Sequence, residues 1–413
     1  MHPTPITIKL RSGIRVHCSG AIGEESISGI VESFFLIFTG AALLATLALY
    51  SRQPLLVAYI AIGCVLGPHG LQLVADPDVL TEIAEIGIIF LLFLVGLDLQ
   101  PAKLRNMLGE GLLTALGSTL AFFALGFGLM LAFGFNTREA LVTGIAVTFS
   151  STIIGIKLLP TTVLHHRHIG EIVVSLLLIQ DLVAILALIL LTGFSGDLTD
   201  TLTSLGWALA GLPVVTAAAF VGVRFAVLPL IAKFDAFHEF IFLLALGWCL
   251  GIASLAVLCG LSLEIGAFVA GVALATSPIS QYIAESLRPL RDFFLVLFFF
   301  SVGAALNPEL LLEMLLPTVL LALALVVAKP VVFALLLRAQ GETPETAWES
   351  GYRLGQASEF SLLVSYVAAG SLLGAEAAHV LQGATVLTMI LSTYAVIFRY
   401  PSPIAVSARL RRD

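Results

Sequence analysis

Short polar stretches divide this chain into apolar runs that are each close to the length needed to cross a bilayer. Hydrophobic residues make up 59% of the 413 positions and charged residues only 11%, whereas an ordinary soluble domain has about 25% charged residues. Backbone surrounded by hydrocarbon must satisfy its hydrogen bonds within its own segment, so each run is predicted to be a helix. We therefore predict an all-α polytopic membrane protein with about 13 transmembrane helices. The runs lie near 29–50, 54–72, 79–98, 109–134, 138–159, 169–193, 203–230, 238–259, 262–277, 291–306, 309–338, 346–370 and 377–399.

The middle and the end of the chain repeat one another at an offset of 207 residues. This offset relates the third run to the tenth and the fifth to the twelfth, a shift of seven helices. Because seven is odd, runs 1–6 and 8–13 are predicted to be inverted repeats, joined by run 7. In such folds the ion site lies near the middle of the membrane, where broken helices of the two halves meet. The repeated residues are Phe93, Val95, Gly96, Leu99, Pro101, Gly144 and Ser151, which recur as Phe300, Val302, Gly303, Leu306, Pro308, Gly351 and Ser358.

Polar clusters interrupt the fifth and the twelfth runs at matching depths, which predicts two helices that are unwound at their centres. Unwinding exposes backbone carbonyls that can bind cations, and the ends of the half-helices add partial charges of both signs. The structural alternative is that these hydroxyls only bond to their own helix, as is common in membrane helices. The residues concerned are Thr148, Ser150, Ser151 and Thr152 in the fifth run and Ser358 and Glu359 in the twelfth.

Asp181 lies near the centre of the sixth run, directly after Gln180. A carboxylate at that depth costs about 2.5–3.5 kcal/mol even on the most permissive insertion scales, so it is usually functional. The structural alternative is a pairing with another helix. Because removal from water disfavours the ionised form, a proton and a metal cation can compete for this side chain.

Lys329 is a second charge inside an apolar run, nine residues before Arg338 at the predicted end of its helix. Its ammonium group can reach the interface only in a strained conformation, which favours an internal carboxylate partner. Asp181 and Glu359 are the available candidates.

Lysine and arginine concentrate in alternate loops, which places the carboxyl terminus in the cytoplasm and the amino terminus outside. Three basic residues of the amino-terminal tail, 1–28, oppose this orientation but are outnumbered. The tail lacks the pattern of a cleaved signal.

Other classes of function find little support in the sequence. No basic run interleaved with aromatic residues predicts a nucleic-acid partner, and the four scattered cysteines predict no metal or other cofactor. A channel would need a filter-like loop, and an intramembrane enzyme would need a nucleophile with a base beside it. Neither pattern is present, so no enzyme is predicted, and the internal duplication around a central site favours a carrier.

The chain resembles the Kef-type branch of the monovalent cation:proton antiporter-2 family along nearly all of its runs. The order and spacing of the shared motifs make the resemblance specific. The motifs are Gly96-Leu97-Asp98-Leu99, Ser150-Ser151-Thr152, Gln180-Asp181, Phe299-Phe300-Ser301-Val302-Gly303, Lys329 and Gln356-Ala357-Ser358-Glu359-Phe360.

The resemblance implies the sodium/proton antiporter fold, with a moving core, a scaffold that forms a homodimer, and two broken, crossing helices. Asp181 would carry the proton or the cation, Lys329 would be a neighbouring charge, and the Ser/Thr cluster would supply ion-coordinating oxygens. The implied division is a tail (1–28), scaffold (29–106 and 234–306), core (107–193 and 307–400), a linker (194–233) and a cytoplasmic tail (401–413).

The resemblance also implies the type of exchange. Relatives with two adjacent aspartates on the sixth helix move two protons per sodium, whereas Gln180 cannot titrate. The expectation is therefore an electroneutral exchange of a proton for K⁺ in preference to Na⁺, by an elevator-like movement, in a bacterial inner membrane. Electrogenic Na⁺/H⁺ exchange is the alternative, and a cation channel is the second alternative.

Overall fold

The computed structural model describes residues 7–9, 15–17, 21–74, 77–98, 101–159, 168–192, 198–234, 238–277 and 279–403. Near the amino terminus, β1 (Thr7–Lys9) pairs antiparallel with β2 (Arg15–His17), and helices follow. The helices of the first repeat are α1 (Ala21–Tyr50), α2 (Leu55–Leu66), α3 (Pro77–Asp98), α4 (Pro101–Ala132), α5 (Thr137–Ala146), α6 (Thr152–Lys157) and α7 (His168–Thr192).

A linking helix and the second repeat complete the described chain. The linker, α8 (Leu198–Gly222), continues through a π-helical turn (Val223–Val227) into α9 (Leu228–Phe234). The remaining helices are α10 (His238–Leu258), α11 (Leu263–Ala275), α12 (Ser280–Ala305), α13 (Pro308–Glu313), α14 (Leu315–Ala339), α15 (Pro344–Arg353), α16 (Glu359–Ala368) and α17 (Ala375–Arg399).

Several helices of the two repeats begin and end at the predicted offset. Helices α5 and α15 correspond residue for residue at 207 positions, as do α7 and α17, and α4 corresponds to α13 and α14 together. Helices of one repeat pack on helices of the other. Helix α3 packs on α11, and their counterparts at the same offset, α12 and α2, pack on each other. Within the described residues, seven helices are long and apolar enough to cross a membrane, and four apolar helices are shorter. The predicted fold class is confirmed.

Several helices extend beyond the apolar runs that predicted them. Helix α1 begins at Ala21, inside the predicted tail, and α12 begins at Ser280 rather than near 291. Hydropathy identifies residues that suit hydrocarbon, whereas a helix continues wherever its backbone hydrogen bonds can form, including its polar turns outside the bilayer. Residues 404–413 of the predicted carboxyl-terminal tail, and Leu99 of the repeated motif, lie outside the described residues.

Glycines allow these two helix pairs, α3 with α11 and α2 with α12, to pack backbone against backbone. Gly303 of α12 lies against the carbonyl group of Ile60 in α2, and Gly271 of α11 lies against that of Phe93 in α3. A Cβ atom at either glycine would overlap the facing carbonyl oxygen. Small residues serve this purpose widely in membrane helices, where close packing replaces the hydrophobic effect as the driving force.

Replacing Gly303 with Ala is expected to lower the free energy of unfolding by about 2 kcal/mol, because the new methyl group overpacks a backbone contact. Thermal unfolding in detergent measures the change. The matched control is Gly128→Ala in α4, where an added Cβ meets nothing within 4 Å. The control should unfold at the wild-type temperature or slightly above it, and equal melting of both variants would contradict the proposed close contact.

Candidate ion site where two interrupted helices cross

Two pairs of short helices are separated by non-helical segments at equivalent positions of the repeats. Helix α5 ends at Ala146 and α6 begins at Thr152, while α15 ends at Arg353 and α16 begins at Glu359. The two repeated serines are the N-caps of the second halves: Ser151 Oγ accepts from Ile154 N at 3.1 Å, and Ser358 Oγ accepts from Phe360 N at 3.1 Å. Serine is favoured at an N-cap because its side chain replaces a missing helical acceptor. The predicted central unwinding is therefore present in both helices.

The two non-helical segments are bound directly to each other. Ser150 Oγ donates to the carbonyl of Leu354 at 2.8 Å, and Gln356 Nε2 donates to the carbonyl of Ser151 at 3.3 Å. Ser361 Oγ, in the first turn of α16, donates to the carbonyl of Ala146 at the end of α5 at 2.6 Å. These bonds satisfy polar groups that unwinding would otherwise leave bare in an apolar environment.

Lys329 of α14 bridges the two segments from one side. Its side chain is 0% exposed, and Nζ donates to the carbonyls of Phe149 at 2.6 Å and Gln356 at 3.1 Å. The ammonium group also lies 5.2 Å from the centre of the Phe122 ring. Helix ends with free carbonyls carry partial negative charge, so the cation compensates the C-terminal ends of α5 and α15.

The expected carboxylate partner of Lys329 is absent from the ion pairs formed among the described residues. The carbonyl groups freed by unwinding take the place of a carboxylate. The sequence prediction missed this because backbone acceptors leave no mark in the residue pattern.

Asp181 and Glu359 lie at the N-terminus of α6. Asp181 is 4% exposed, and Thr152 Oγ1 lies 3.2 Å from its Oδ1 and 3.0 Å from its Oδ2. Glu359 is 5% exposed, and its Oε1 accepts from Ile153 N at 3.3 Å. Because Thr152 and Ile153 are consecutive, the two carboxyl groups are neighbours at a positive helix end.

The donor set suits a hard cation. Oxygen atoms reach this region from the two carboxyl groups and from the hydroxyls of Thr152 and Ser358. The Ser358 hydroxyl lies 3.5 Å from Glu359 Oε2. Hard cations prefer oxygen ligands, and a carboxyl group can hold a proton instead. The hydroxyl of Thr148 donates to the carbonyl of Ile145 in its own segment at 2.7 Å, which is the bond that the structural alternative describes.

Gln180 supports the non-helical segment before α6. Its side chain is fully buried, and Oε1 accepts from Ser150 N at 3.1 Å. Ser150 N–H is only a donor, so the amide oxygen must face it. The NH₂ group, which has no hydrogen-bond partner among the described residues, cannot coordinate a cation. In this geometry the side chain of Gln180 orients the backbone of Ser150.

We call the contact between the non-helical segments 147–151 and 354–358 the crossing. Two further residues hold it in place, and the sequence analysis did not assign them to the site. Arg353 is 0% exposed, pairs with Glu349 at 2.6 Å and donates to the carbonyls of Leu158 and Pro401 at 2.8 Å each. Thr388 Oγ1 accepts from Ala357 N at 2.9 Å. Thr388 lies 207 residues after Asp181, so the repeat itself could have identified this counterpart.

A model of the family described as "Sodium/hydrogen exchanger, transmembrane" matches residues 34–398. The chain belongs to this exchanger family. It is therefore a multi-pass membrane protein of the cation:proton antiporter class, and the predictions of a carrier and of no enzyme are confirmed.

The exchanger's fold is similar to a solved structure, "Structure of the sodium proton antiporter MjNhaP1 from Methanocaldococcus jannaschii at pH 8". The TM-score is 0.65, the sequence identity is 17%, and the match covers 94% of this chain and 98% of the other. At this identity the likeness establishes the fold alone. The matched family model describes sodium/hydrogen exchangers as a whole. The similarity to the Kef-type branch therefore remains a resemblance of motifs.

Proposed function

We propose that this exchanger trades one proton for one monovalent cation, with K⁺ preferred over Na⁺, and that Asp181 carries each in turn. The observation that carries the proposal is the position of Asp181. Its carboxyl group is buried in the middle of a membrane helix, at the positive end of α6 and within a set of oxygen donors. A carboxylate in such a place binds a proton or a cation, and the two exclude each other.

The neighbouring charges support an electroneutral count. Gln180 cannot titrate, and Lys329 is held by the carbonyls of Phe149 and Gln356. In this proposal the charge of Lys329 stays the same through the cycle. Glu359 accepts from the backbone of α6, and in this proposal its protonation state stays the same through the cycle. If Asp181 alone exchanges its ligand, one positive charge replaces another and no net charge moves.

The preference for K⁺ and the movement of the core are supported by the Kef-type motifs. We place α4–α7 and α13–α17 in a moving core, and α1–α3 and α10–α12 in a scaffold that forms a homodimer. The basic loops support a cytoplasmic carboxyl terminus and an amino terminus outside. We assign the protein to a bacterial inner membrane.

Proteoliposomes supplied in turn with K⁺, Na⁺, Rb⁺ and Li⁺ test this function. We expect each active cation to drive proton flux, with an apparent KM for K⁺ about threefold below that for Na⁺, a difference of about 0.6 kcal/mol. We also expect equal flux with the membrane potential clamped at zero or left free, because no charge moves. Currents that scale with flux would favour electrogenic Na⁺/H⁺ exchange instead.

A further inference from the structure

A buried histidine joins α17 to the junction between α12 and α13, away from the crossing. His379 is 8% exposed and lies in the second turn of α17. Its Nε2 accepts from the backbone N–H of Asn307 at 2.8 Å, and its Nδ1 lies 2.6 Å from the carbonyl of Ala375. Asn307 follows the last turn of α12 and is the N-cap of α13.

The partners of the imidazole ring fix its protonation state. Asn307 N–H is only a donor, so Nε2 must be without a proton, and the Ala375 carbonyl is only an acceptor, so Nδ1 must carry one. The ring is therefore neutral. An imidazolium would present an N–H to the N–H of Asn307, so this contact cannot survive protonation.

Water can reach the region through a cavity of about 530 Å³ that His379 lines. The same cavity is lined by Ala305 at the end of α12, by Gly370 between α16 and α17, and by Gln382 of α17. It thus opens where the helices assigned to the scaffold meet those assigned to the core. The loop charges assign this face to the outside.

The charged groups around the ring do not replace its bonds. Helix α5 brings Arg138 and Glu139 to the cavity, and Glu139 is bound to Asn136 N and Gly374 N. Glu309 of α13 and Glu376 of α17 stand in the first turns of their helices. None of these forms an ion pair with His379 among the described residues. The charged residues Lys329 and Glu359 lie at the crossing instead. Helix α17 meets the crossing at Thr388, which is nine residues, or about 13 Å along the helix, from His379.

We propose that neutral His379 is a positioning residue that holds the α12–α13 junction against α17, and that acidification of the cavity releases this junction. Histidine is the side chain whose charge ordinarily changes between about pH 5 and 8. The junction is the covalent connection between the proposed scaffold and the proposed core. Release of this junction slows exchange when the solution on the cavity side of the membrane is acidic. Only this effect on exchange rests on the proposed function.

Hydrogen–deuterium exchange of the full chain in nanodiscs tests the release directly. In the wild type, deuterium uptake by the peptide spanning 303–314, corrected for the intrinsic effect of pH, should rise about threefold between pH 8.5 and pH 6 as the Asn307 amide loses its partner. His379→Gln offers an oxygen to Asn307 and an NH₂ to Ala375 at every pH, so its uptake should stay low. His379→Ala should show high uptake at both pH values. Wild-type uptake that does not change, or a rise in His379→Gln equal to that of the wild type, would overturn the proposal.

Asp181→Asn separates this proposal from the proposed function. The variant should keep the pH-dependent uptake at 303–314 while it loses exchange, so a loss of the uptake response in Asp181→Asn would count against an independent role for His379. In proteoliposomes, His379→Gln should match wild-type exchange at pH 8.5 and exceed it about threefold when the cavity side is at pH 6. Identical profiles for the two proteins would contradict the stated effect on transport.

Discussion

Asp181→Asn is expected to reduce exchange of every cation by about 100-fold or more, the range found when a positioned proton carrier is removed. Asparagine has nearly the same shape and can still accept a bond from Thr152 Oγ1, which contacts both carboxyl oxygens in the native protein. It can neither bind a proton at neutral pH nor offer a charged ligand to a cation. Proton flux in proteoliposomes measures the loss.

The control for this variant is Glu345→Gln, which neutralises an exposed carboxylate in the first turn of α15. This change should leave the flux near the wild-type rate. Unfolding temperatures of both variants should remain close to that of the wild type, because neither removes a packed group. Flux above a tenth of the wild-type rate in Asp181→Asn would reject Asp181 as the carrier.

Lys329→Met is expected to lower the free energy of unfolding by about 3 kcal/mol or more, because it removes the partner of buried polar groups. The carbonyls of Phe149 and Gln356 would lose the donor that binds them at 2.6 and 3.1 Å. The C-terminal ends of α5 and α15 would also lose the cation that compensates their partial negative charge. Both effects loosen the crossing, so transport should fall together with stability.

Thermal unfolding in detergent measures the loss, and Lys233→Met is the matched control. Lys233 is exposed in the last turn of α9 and contacts the ring of Phe234 at 5.5 Å. Its replacement should change the unfolding temperature little. Wild-type stability in Lys329→Met would mean that the freed carbonyls need no cation, and that Lys329 serves transport alone.

Local sequence signals predicted the frame of the site. The offset that relates Ser151 to Ser358 located both interruptions, because each serine acts on its own helix start as an N-cap. Asp181 was identified by the cost of burying its charge, which depends only on the surrounding apolar run. Both signals can be read without knowledge of the packing.

Long-range packing decided what the sequence reading missed. Lys329 binds backbone carbonyls of two distant segments rather than a carboxylate, and the side-chain oxygen of Gln180 accepts from the backbone N–H of Ser150. Arg353 reaches Leu158 and Pro401, 195 and 48 residues away. Such bonds use main-chain groups that every residue has, so no residue pattern predicts them.

Proton release on cation binding is the most direct test of Asp181 as a group that a proton and a cation share in turn. Purified protein in weak buffer would receive K⁺ or Na⁺ at a series of pH values, with the released protons counted per bound cation. At pH values where Asp181 is protonated, the wild type should release about one proton per cation, and apparent affinity should fall about tenfold per pH unit of acidification. Asp181→Asn should release none. Cation binding without proton release in the wild type, or equal release from Asp181→Asn, would contradict the mechanism.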